Sequence, residues 1–123
     1  MKKALTLARV GAWLAVLTII VLSVVPGDLR PQVLANDRQE HFLAYFITGS
    51  LLALGYPRWI QVLWSGILLV TCAGSLEFVQ LWIPGRDASV DDFEASAIGA
   101  WIGLLAVVVI RRASARMFAI SYE

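Results

Sequence analysis

A single cysteine, Cys72, rules out an internal disulfide and a cysteine-rich metal cluster, and its place within an apolar run marks it as a packing thiol. Charge is also scarce. Only 15% of the 123 residues are charged against 59% hydrophobic, too few to clothe a surface that faces water. The net charge of +1 gives no basic excess for a nucleic-acid backbone, so no nucleic-acid partner is expected. The one histidine, His41, confines imidazole chemistry to one place. All four prolines stand at or beyond the ends of apolar runs, where they stop helices rather than kink them.

What is abundant is apolar sequence, in runs over residues 10–25, 42–56, 59–83 and 93–110. A hydrocarbon core takes about 20 residues of helix to cross. The fold class that follows is all-α: one domain over residues 1–123, an integral membrane four-helix bundle with spans at about 6–25, 41–56, 59–83 and 92–110. The second span is short and must draw its flanks inward, bringing His41 to the edge of the hydrocarbon. Pro26, Gly27 and Pro31 stop the first helix, and Asn36 or Asp37 caps the second. Tyr56, Pro57 and Arg58 make a tight turn into the third, which Pro84 and Gly85 end; Asp91 or Asp92 opens the fourth. The tail from 111 to 123 is too short and polar to fold alone, although 117–120 can rest on a membrane surface. No small-x-small cleavage site follows the first run, so a retained span rather than a signal peptide is expected.

Lys2, Lys3, Arg9, Arg58, Arg111, Arg112 and Arg116 gather with the two termini and the middle turn. The positive-inside rule places these in the cytoplasm and turns the two longer loops, with Asp28, Asp37, Glu40, Asp87, Asp91 and Asp92, outward.

Three groups of polar residues share that outer side. On the second helix, Asp37, His41, Tyr45 and Thr48 are spaced by four, four and three residues and form one stripe, with Arg38 beside it. Asp37 can hold one ring nitrogen of His41 and leave the other to move a proton; alternatively His41 and Tyr45 simply anchor the helix at headgroup level. On the third, Glu77 and Gln80 share a face, and Glu77 lies on the order of 9 Å below the helix end. A carboxylate at that depth must face the bundle interior and find a cation, a donor or a proton, either as a site or as a structural ion pair. In the loop beyond, Arg86 offers a forked donor for a carboxylate or phosphate, and Ser89 caps the next helix or presents a hydroxyl. The fourth helix carries Asp92 and then the small residues Ala95, Ser96, Gly99 and Gly103, a stripe for close helix packing.

Taken in order, Asp37-Arg38-x-x-His41-Phe42-x-x-Tyr45, Glu77-x-x-Gln80-x-x-x-Pro84-Gly85-Arg86-x-x-Ser89-x-x-Asp92 and Ala95-x-x-x-Gly99, with Ser23-x-x-Pro26 before them, resemble the VanZ-like family. The resemblance spans about residues 23–103. Arg38 stands where that family usually has Lys, and Ser96 where Asn is common. It implies a multi-pass protein of the bacterial cell membrane, associated in some members with lowered sensitivity to glycopeptide antibiotics such as teicoplanin.

These readings converge on an outer-face site. His41, Glu77 and Asp37 are the candidates for acid-base chemistry, and Arg86, Gln80, Tyr45, Ser89, Asp92 and Arg38 for binding. The expected partners are membrane lipids and either a lipid-linked envelope precursor or another membrane protein. No nucleophile, cofactor motif or complete metal set is apparent, though one His among carboxylates also offers ligands to a divalent cation. Alternatively, the same groups lock the bundle and the protein is a non-catalytic scaffold. Transport would need an oligomer, since four helices are few for a pathway.

Overall fold

Proline and glycine set the helix limits. In the structure, a computed structural model whose described residues are 1–120, α1 runs Lys2–Val24 and stops where Pro26 forces Val25 into extended backbone. A short 3-10 turn, Gly27–Leu29, leads toward α2, Asp37–Gly55. Asn36 is the cap of α2, its side chain accepting from the Gln39 N–H at 2.9 Å. α3 spans Trp59–Gln80 and α4 spans Val90–Ile120.

The four expected helices are present, with shifted ends. α2 begins four residues before the expected 41 because Asn36 caps it there. α3 ends at Gln80 rather than 83: the amides of Leu81, Trp82 and Ile83 turn to carbonyls three residues back, tightening the chain before Pro84 and before Gly85 at φ +72°. α4 does not stop near 110. No Gly or Pro follows Gly103, and the alanines and arginines of 111–116 are strong helix formers, so the helix continues to Ile120.

α1, α3 and α4 are long and apolar enough to cross a membrane. α2 is not, because its first turn carries Asp37, Arg38 and Glu40. It packs against all three other helices, most extensively α4, and buries Tyr45, Thr48, Gly49, Leu52, Ala53 and Gly55. Many large apolar side chains point outward, among them Leu14, Leu17, Trp64, Phe78, Ile98 and Val109, while Leu52, Val62, Leu69 and Leu104 fill the core. An apolar exterior, with small residues where helices meet, suits a bundle in hydrocarbon.

The α2–α4 contact is made backbone to backbone. Gly99 lies on the Phe42 carbonyl, Gly103 on the Phe46 carbonyl, and Gly49 on the Ala100 carbonyl. Lacking side chains there, the helices close until Ser50 Oγ reaches the Gly103 carbonyl at 3.3 Å.

Helix ends in a membrane cannot rely on water for their last carbonyls. Arg9 donates to Gly55 O at 2.9 Å, and Arg111 donates to Ala53 O and Leu54 O at 2.9 and 2.8 Å, so α1 and α4 together cap the end of α2. Arg112 stacks over Trp59 nearby. The start of α1 and the C-terminal half of α4 therefore lie at one end of the bundle, the basic end, while every acidic residue from Asp28 to Glu94 lies toward the other.

Candidate functional site

At the acidic end the two longer loops are tied together. Gly27 N–H donates to Pro84 O at 3.0 Å, and Gly27 sits so close to the Gly85 backbone that neither position has room for a larger residue without displacement. Because Pro26 ends α1, the carbonyls of its last turn have no helical partner. Arg86 supplies one, donating from Nε to Val25 O at 2.9 Å and from Nη2 to Leu22 O. Gln80, only 3% exposed, donates to Ser23 O at 3.2 Å. The expected fork of Arg86 toward a phosphate or carboxylate is thus engaged mainly by backbone. Burial, and the neighbouring Arg30 guanidinium, hold the Arg86 pKa below its usual value.

Glu77 is the junction of three helices. Its Oε2 accepts from the Ser89 N–H at 3.0 Å, just before α4. Its Oε1 lies 3.9 Å from His41 Nδ1, the two side chains being 12% and 14% exposed. Ser89 Oγ in turn accepts from the Asp92 N–H at 3.4 Å, making Ser89 the cap of α4. His41 and Glu77 thus lie side by side, and Asp92 is near them: ligating atoms of His41, Glu77 and Asp92 lie within 4.8 Å of one another.

Other expected members sit elsewhere. Asp37 pairs with Arg30, Nη1 to Oδ1 at 3.1 Å, and does not hold His41. The His41 Nδ1 instead meets Ser96 Oγ at 3.1 Å, across the close α2–α4 contact. Arg38 pairs with Asp91 on the open surface, both 61% exposed. Tyr45 is 3% exposed, beside Cys72, and so packs in the interior instead of anchoring the helix at the headgroups.

Arg30 and Ser96 are the site residues that sequence reasoning did not select. Arg30 pairs with Asp37 and Glu40, and Glu40 accepts from the amides of Val33 and Leu34 at 2.6 and 2.9 Å, so this one arginine organises the α1–α2 loop. The signal available was its isolation as the only cation between two helices with acids ten residues or fewer ahead. Ser96 belonged to a small-residue stripe, and its spacing alone could not separate packing from hydrogen bonding.

Two cavities meet here. A polar one of about 150 Å³ is lined by Arg30, Gln32, Asp37, His41, Gln80, Gly85, Arg86, Asp87 and Asp92, with Gly27. An apolar groove of about 280 Å³ runs between α1 and α2, past Ile19, Leu22, Leu34, Leu43, Ala44 and Ile47. Arg30, His41, Gln80 and Arg86 border both. An apolar groove and a charged mouth thus lie against the same four side chains, the imidazole of His41 among them. No family model, curated protein or solved structure matches this chain.

Proposed function

We propose that this chain is a VanZ-like protein of the bacterial cell membrane that holds a lipid or lipid-linked envelope precursor, acyl chain in the groove and headgroup in the polar mouth. The single observation that carries the reading is the shared border of the two cavities, since an amphiphile needs its apolar and polar compartments joined. In this reading α2 crosses the bilayer sheltered by its neighbours, the basic end with both termini is cytoplasmic, and the mouth opens outward at headgroup depth. Arg30, Arg86 and His41 border both cavities, so the headgroup would meet them where its acyl chain enters the groove, with His41 supplying a donor or acceptor there. Altered access to such a precursor is the route by which the protein would lower sensitivity to glycopeptides, as the family resemblance implies.

Ala44 borders the groove, and Ala44→Trp should fill it. Native mass spectrometry of protein extracted in mild detergent is expected to show a retained lipid on the wild type and at least a tenfold loss on this variant, about 1.4 kcal/mol. Ile98→Trp, on the exposed outer face of α4, should retain it. Equal retention by all three would remove the groove from the account.

A second reading, a non-catalytic scaffold, is favoured by one observation: among the described residues, no buried side-chain nitrogen or oxygen lacks a hydrogen-bond partner. Under it the polar groups lock the bundle, and plugging the groove changes nothing but packing.

A further inference from the structure

The polar mouth has an imbalance that its own hydrogen bonds leave uncorrected. Its lining carries Arg30 and Arg86 against Asp37, Asp87 and Asp92, and Glu77 stands directly behind His41. Arg30 is already paired with Asp37 and Glu40, and Arg86 is turned to the end of α1. Asp92 is left over: its carboxylate makes no hydrogen bond or ion pair with any of the described residues, while its backbone N–H is satisfied by Ser89.

The free carboxylate lies near the imidazole of His41 and the carboxylate of Glu77, whose Oε2 holds the Ser89 amide and whose Oε1 makes no hydrogen bond with the described residues. Nδ1 and Oε1 are 3.9 Å apart, too far for a hydrogen bond. Two donors about 2.1 Å from one ion stand about 3.0 to 4.2 Å apart, depending on the bond angle, so that gap suits a shared cation. The whole set lies within 4.8 Å, so a pair at that limit would close by about 0.6 Å to reach a trans arrangement and by about 1.4 Å to reach a tetrahedral one. Glu77 is oriented by the Ser89 amide and Asp92 by the first turn of α4, while Nδ1 of His41 would exchange its contact with Ser96 Oγ for the ion. The cavity beside His41 and Asp92 leaves an entry path and room for waters in the remaining positions.

We propose that His41, Glu77 and Asp92 bind one divalent transition-metal ion of the Zn²⁺ or Mn²⁺ kind, one nitrogen and two oxygens from three different helices. A mixed set of imidazole and carboxylates suits these ions better than Ca²⁺, which takes six or more oxygens. The ion would offset the acid excess of the mouth and pin α2, α3 and α4 together at that end. Its binding does not depend on a lipid, so the site stands or falls independently of the groove.

The test is Mn²⁺ titration of the full chain in detergent after chelator treatment, read by loss of the free-ion electron paramagnetic resonance signal, with Zn²⁺ as competitor. One ion per chain is expected, displaced by Zn²⁺ and accompanied by a rise in thermal midpoint. His41→Ala, Glu77→Gln and Asp92→Asn should each weaken binding about tenfold or more, whereas Glu94→Gln, exposed on the same helix, should not. Asp92→Asn decides the matter if the others fold poorly, because its carboxylate supports no contact in the fold. Absence of saturable one-to-one binding up to millimolar Mn²⁺, or unchanged affinity in Asp92→Asn, overturns the proposal.

Discussion

Gly103→Val is expected to lower the thermal midpoint in detergent by roughly 10 to 20 °C, and Gly99→Val together with it to leave no monodisperse protein. At Gly103 an added Cβ meets the Phe46 carbonyl and comes within 3.0 Å of Ser50 Oγ; at Gly99 it comes within 3.1 Å of the Phe42 backbone. A side chain in the way can rotate, but a helix carbonyl cannot. α4 must therefore move off α2 as a unit, across the most extensive helix contact in the molecule. Overpacking typically costs about 1–3 kcal/mol, and this geometry belongs at the upper end, against a total stability of about 5–15 kcal/mol. The same displacement carries Ser96 and Asp92 away from His41, so any partly folded variant should also lose ligand retention. Ile102→Val, on the exposed face of α4, should be close to silent. Unfolding followed by intrinsic fluorescence checks all three, the five tryptophans providing the signal.

Glu77 should separate stability from function. Glu77→Ala removes the acceptor of the Ser89 amide, a charge-assisted bond at the start of α4, and is expected to cost about 1.5–3 kcal/mol as well as lipid retention. Glu77→Gln keeps an amide oxygen for that N–H but places no carboxylate beside His41. Its midpoint should stay near the wild-type value, while lipid retention by native mass spectrometry falls tenfold or more. Loss of stability with undiminished retention in Glu77→Gln would instead identify Glu77 as a structural residue and favour the scaffold reading.

Much of the fold was legible in the sequence because hydrocarbon imposes a length. Three apolar runs became α1, α3 and α4; Pro26 and the Ser89 cap marked limits, whereas α3 stopped at Gln80, short of the expected 83, and α4 ran on to Ile120 past the expected 110. α2 was harder to read. Its composition falls short of a spanning helix, and its packing against all three others is not written in its apolar run. The site was half legible. Helical spacing put His41, Glu77 and Asp92 at one end, but spacing cannot tell which way a side chain turns once helices meet. Glu77 and Gln80, on one face by count, serve different neighbours, the amide before α4 and the end of α1. Arg86 went to backbone carbonyls that Pro26 had orphaned, a demand written in the sequence but visible only when α1 and the α3–α4 loop are adjacent. Arg30 lies in a loop, where no periodicity points to its partners.

The joining of groove and mouth can be measured directly with a phospholipid carrying a photoreactive group in its acyl chain, reconstituted with the protein and mapped by peptide mass spectrometry. Labelling concentrated on Ile19, Leu22 and Ala44, and reduced by His41→Ala in the mouth, is the predicted result. Labelling spread evenly over lipid-facing positions such as Phe78 and Ile98, indifferent to His41, would contradict it.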